Sequence, residues 1–139
     1  MRRARMIVKA GLALGVLYGT AWADTVNFTV TLEPEKPSGP GKGAATLSLD
    51  TATKTLTGSI KYSGISAPPE VAAIEGPPPR PNDNPVTFII PLPANRASPI
   101  GFTMTLPDPA VAGIRSGEWV LLIGNKQGPE IGGDIKPAP

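Results

Sequence analysis

The 139-residue sequence contains no cysteine and no histidine. Without cysteine there is no disulfide framework and no zinc–thiolate site. Without histidine the usual nucleophilic triads cannot be assembled, and thiol chemistry is absent with the cysteines. Aromatic residues are scarce at 5%, so a core must be built from Val, Ile and Leu. No internal repeat of 20–50 residues and no coiled-coil pattern is present. The one apolar run near the N-terminus, Ala10 to about Tyr18, falls well short of the ~20 residues that a spanning helix needs. Clustered positive charge is confined to Arg2, Arg3, Arg5 and Lys9.

Those four basic residues, the short apolar run and Ala21-Trp22-Ala23 form the three-part pattern of a secretory signal peptide over residues 1–23, with cleavage before Asp24. With no cysteine, lipid attachment at a lipobox is excluded. The expectation is a soluble exported protein, periplasmic or extracellular, with no membrane insertion once the signal is removed. The remaining 116 residues suffice for one domain with a modest core. Four of the 13 basic residues leave with the signal, so nine face 11 acidic ones and the net charge becomes −2. No basic cluster remains to neutralise phosphates, which argues against nucleic-acid binding and against polybasic membrane attachment.

The rest of the chain alternates. Val26, Phe28, Val30 and Leu32 share one face of an extended segment, with Asn27, Thr29 and Thr31 opposite, the period of a half-buried strand. Gly43–Asp50, Thr55–Tyr62, Val86–Leu92 and Ile100–Leu106 read as further strands, and Val71–Ile74 as a short apolar piece. Gly58 falls where a side chain should point inward, marking a bulge or a close approach. Pro109–Gly117 reads as a helical turn leading into the most apolar strand of the chain. There Trp119, Leu121 and Ile123 occupy one face and Val120 and Leu122 the other, predicting burial on both sides. Asn125–Pro129 supplies a turn and Glu130–Ile135 returns as a hairpin partner. Eighteen prolines and 16 glycines fill the loops, and strict alternation in four segments distinguishes the chain from a disordered one of similar composition. The fold class predicted is all-β: an immunoglobulin-like or Greek-key sandwich or barrel of about eight short strands. The domain spans 24–135, with residues 136–139 as a flexible tail.

Candidate chemistry is sparse. Glu130 and Asp134 lie four apart on one strand, about 13 Å at normal rise, too far for a glycosidase pair. They read as solvated charges on an outer face. Asn82-Asp83-Asn84, with Glu75 and Glu70, offers oxygen ligands of the kind Ca²⁺ takes, but without the spacing of a known calcium loop. Trp119 reads as a core anchor. Pro77, Pro78, Pro79, Arg80 and Asp83 form a proline-rich candidate contact loop, since preformed polyproline II loses little entropy on binding.

Four pieces in order resemble the CHRD domain, the module repeated in chordin and found singly in exported bacterial proteins. They are Glu35-Lys36-Pro37 with Gly43-Ala44-Ala45, then Ala72-Ala73-Ile74-Glu75-Gly76-Pro77. Ile114-Arg115-Ser116-Gly117-Glu118-Trp119-Val120 follows, and Gly128–Ile135 closes the set. The resemblance covers the whole domain and implies a β-sandwich. This copy departs from the family pattern where imidazoles would stand, at Ala73, Glu75 and Ile123, and where an arginine would stand, at Gly132. Three imidazoles converging from two strands would make a transition-metal site; this chain has none. The same lack excludes a copper/zinc superoxide-dismutase centre on a shared architecture. The function expected is a non-enzymatic binding or structural module with an unidentified protein or envelope partner and no cofactor. The alternative is a metal-handling protein using oxygen ligands near Glu75 and Asn82–Asn84, with Glu75 and Asp83 as ligands.

Overall fold

The structure is a computed structural model that describes residues 24–36 and 39–139; the proposed signal lies outside the described residues. Nine strands and one short helix follow in order: β1 (Thr25–Pro34), β2 (Lys42–Asp50), β3 (Thr55–Ser63), β4 (Val71–Gly76), β5 (Val86–Ile89), β6 (Ile100–Thr105), α1 (Asp108–Ile114), β7 (Val120–Asn125), β8 (Gly128–Asp134) and β9 (Lys136–Pro137). All pairings are antiparallel. The strand order β5-β4-β7-β8-β1-β2-β3-β6 makes one curled sheet, a half-barrel that folds over its own core, with β9 paired to β1.

β1 is where the two halves of the sheet join. Along its length it pairs with β2, from Thr25 opposite Asp50 to Leu32 opposite Gly43. On its other side it pairs with β8 at Glu33 and Pro34, and with β9 at Phe28 and Thr29. Its alternation buries Phe28, Val30 and Leu32 and turns Asn27, Thr29, Thr31 and Glu33 outward. The same period in β2 and β3 buries Ala45, Leu47, Leu49, Leu56 and Ile60. Gly58 answers to Phe102: a Cβ there would lie 2.4 Å from the ring, so the aromatic of β6 fills the volume that Gly58 leaves.

The other half of the core centres on Trp119, 5% exposed. Its indole stacks on Phe88 of β5, with centroids 5.9 Å apart and planes inclined by 8°. On β4, a Cβ at Gly76 would come within 2.1 Å of the indole, and one at Gly113 within 2.5 Å. The helix therefore has a packing role: it buries Ala110 and Ile114 and brings Gly113 against the ring. Pro109 suits its first turn, and Gly117, at φ +84°, turns the chain into β7.

Two expectations change. Residues 136–139, read as a loose tail, are held: Lys136 and Pro137 pair with Thr29 and Phe28, and the Ala138 amide donates to the Asn27 carbonyl at 2.8 Å. The edge of β1 preceding Glu33, which β8 does not cover, offers backbone groups that the tail can satisfy, which composition does not reveal. The apolar strand β7 is covered on one face alone. Leu121 and Ile123 are buried, whereas Val120 and Leu122 are half-buried on the outer face.

Trp119→Ala should cost about 3–5 kcal/mol, the range for losing a buried large aromatic. Gly76→Ala should cost about 1–3 kcal/mol through overpacking against the indole. Urea unfolding followed by Trp119 fluorescence (by circular dichroism for Trp119→Ala) checks both; an unchanged midpoint in Gly76→Ala would show that the ring is not held against β4.

Candidate functional site

The outer face of the β5-β4-β7-β8-β1 half is built by register. Thr87, Glu75, Val120 and Asp134 oppose one another in turn across β5, β4, β7 and β8. Two residues further along, Ile89, Ala73, Leu122, Gly132 and Glu33 form a second row across five strands. At ~4.8 Å between strands, that row runs about 19 Å, and Glu75 stands about 10 Å from Asp134. Ile89 is 62% exposed, the large apolar side chain most open to water among the described residues. With the half-buried Val71, Val120 and Leu122 it makes an apolar strip on the outside of the molecule, laid over Ala73, which is 6% exposed.

One side of the strip falls into a groove of about 800 Å³. Its floor is Gly132, where a Cβ would meet Leu122 Cδ2 at 2.7 Å and Glu35 Oε2 at 2.9 Å. Its walls carry Glu33, Glu35, Glu75 and Asp134, with Lys136 the one cation lining it. Glu75 is half-buried and accepts a hydrogen bond from the Thr87 hydroxyl at 3.2 Å. Four carboxylates and one ammonium beside apolar side chains make a surface of negative potential.

The sequence-predicted residues are not gathered in one place. Glu75 is in the groove. Asp83 lies in the proline-rich loop, paired with Arg80 Nε at 3.0 Å, and its amide donates to the Arg80 carbonyl, closing a turn. Glu70 accepts from the Lys126 amide at 3.2 Å. Asn82 and Asn84 are exposed. Among the described residues no three acidic groups gather closely enough to hold a metal ion. The loop residues Pro77, Pro79, Arg80 and Asp83 are exposed and Pro78 is half-buried. The loop joins β4 to β5 just beyond Glu75 and Thr87, so it stands at one end of the outer face.

Sequence reasoning missed Glu130, read there as a solvated charge. It accepts from the Ser66 amide at 3.2 Å, from the Ser66 hydroxyl at 3.1 and 3.0 Å, and from Asn125 Nδ2 at 3.4 Å. This carboxylate ties the loop after β3 to the β7–β8 hairpin. No local signal foretells a partner 64 positions away.

The fold and this outer face define a small all-β module. Residues 26–135 match the family model described as the CHRD domain, and the chain belongs to that family. No curated protein and no solved structure matches it. Of the four positions that the sequence resemblance singles out, three share the outer face: Ala73 and Gly132 stand in one row, and Glu75 in the other. The fourth, Ile123, is a core residue on the opposite face of the sheet. Positions 73, 75 and 123 therefore do not converge on one site.

Glu130→Ala should free the loop after β3. The Ser66 amide should exchange markedly faster and overall stability fall by about 1 kcal/mol, the net worth of such hydrogen bonds. Unchanged exchange at Ser66 would count against the clasp.

Proposed function

We propose that this CHRD domain is an exported, non-enzymatic binding or structural module of the periplasm or extracellular space. Its contact surface is the outer face of β5, β4, β7 and β8, with the Pro77–Asp83 loop at one end. One observation carries the reading: β7 bears apolar side chains on both faces, and the core covers only one. An apolar strip that stays open beside a groove is the usual mark of a surface that meets a partner.

Export is supported by the basic, apolar and small-residue pattern of residues 1–23. A non-enzymatic role is supported by the family and by a sequence without histidine or cysteine. A net charge of −2 after residue 23 disfavours nucleic acid as the partner. The alternative, a metal-handling protein with Glu75 and Asp83 as ligands, has no comparable observation behind it, because each carboxylate already has its own partner.

A chain without cysteine accepts a single reporter thiol. Full-length protein carrying Ile89→Cys, expressed with its own N-terminus, should be recovered from the exported fraction beginning at Asp24. A thiol-directed photocrosslinker at position 89 should trap a discrete envelope component, while the same probe at Thr57→Cys, on the outside of β3, should not. Retention inside the cell with residues 1–23 intact would sink the export reading. Identical background labelling at both positions would sink the contact surface.

A further inference from the structure

The groove face has a chemistry that selects among partners. We infer that its occupant is a cationic amphipathic polypeptide segment, an extended chain whose successive same-side positions are apolar and then Lys or Arg; this rests on the module reading above.

The argument is charge complementarity on an apolar floor. Glu33, Glu35, Glu75 and Asp134 line the groove against Lys136 alone. Among the described residues none of those four carboxylates is in an ion pair; the pairs present are Lys54–Asp108 and Arg80–Asp83. The acids therefore face the groove without an ion-pair partner among the described residues. A nucleic acid or an anionic bilayer would be repelled by this field. A sugar ligand would want exposed aromatic rings to stack on, and the face has none: Phe88 and Trp119 point into the core.

What remains is a partner that is positive and partly apolar. Its apolar side chains would cover Ile89 and Leu122, which lie in one row on either side of the buried Ala73. Its cations would reach Glu75 and Asp134 in the neighbouring row, and Glu33 and Glu35 across the Gly132 floor. The two rows lie about 6.7 Å apart, the advance of two residues along a strand. An extended segment repeats its same-side positions at that interval. Cations seated over a low-dielectric apolar strip gain more from each carboxylate than they would in open water.

The probe is a short, end-capped, labelled peptide repeating valine-serine-lysine-serine, which sets valine and lysine in turn on one side, with a valine-serine-glutamate-serine repeat as control, titrated into the full domain and read by fluorescence anisotropy. The lysine peptide should bind, the glutamate peptide should not, and binding should be lost near 1 M salt, where the screening length falls to about 3 Å. Glu75→Lys and Asp134→Lys should each weaken binding at least about tenfold, and Ile89→Asp similarly, while Thr57→Lys leaves it unchanged. Ile89 is exposed, so Ile89→Asp should melt like the parent and show the same Trp119 fluorescence. No binding of the lysine peptide, equal binding of both peptides, or indifference to Glu75→Lys and Asp134→Lys would overturn the inference. So would a concentration-dependent dimer abolished by Ile89→Asp, which would give the face to a second copy. An envelope component crosslinked at position 89 but indifferent to Glu75→Lys and Asp134→Lys would leave the module reading standing and this inference overturned.

Discussion

The seating of one indole sets the polarity of half the molecule. Trp119 lies flat on Phe88 and fills the gaps left by Gly76 and Gly113. That contact turns Leu121 and Ile123 inward behind it. The period of two then obliges Val120 and Leu122 to point out. β4 follows suit through its pairing with β7: Ala72, Ile74 and Gly76 go in, while Glu75 goes out with Ala73, itself buried, on the same side. The outer face is thus a consequence of how the inner one is packed. A one-residue slip would bury Glu75 and expose Ile74 and Leu121, which the cost of burying a lone carboxylate forbids.

With no disulfide, the curl of the sheet is held by strand sharing and by two local ties. β1 serves both halves, meeting β2 along one edge and β8 and β9 along the other. The close approach is possible because Gly133 has no side chain; a Cβ would sit 1.9 Å from the Thr31 carbonyl oxygen. Glu130 fastens the Ser66 loop on one side, and Ala138 fastens the tail to Asn27 on the other. Glycine therefore has two roles in β8. Gly133 lets the strands meet, and Gly132 leaves the groove its floor.

Function in such a module resides in its surface. The outer side of β1, β2, β3 and β6 is a polar face of threonine, serine and asparagine around Asn27, Thr46, Ser48, Thr57 and Thr103. The outer side of β4, β5 and β7 is apolar and edged with acids. The asymmetry matters more than either face alone, because water wets the first fully and leaves the second with uncovered apolar area. Positions 73, 75 and 132 sit on the second face, where Glu75 adds to the acids of the groove.

Much of the architecture was legible from local pattern. The alternation of β1, β2, β3 and β6, the short helical segment and the Asn125–Pro129 turn all depend on residues near one another, so period and turn chemistry reveal them. The absence of cysteine and histidine settled from composition alone which chemistries the chain lacks. The groove was not legible, and neither was the clasp at Glu130 nor the anchoring of residues 136–139. Each depends on which strands become neighbours. Glu33 and Gly132, or Ser66 and Glu130, are distant in sequence and meet only once β1 and β8 are paired and the sheet has curled. The sequence alone determined that β7 is apolar on both faces; only the tertiary structure decided that one face would be left open, because the core has a single layer of side chains to offer.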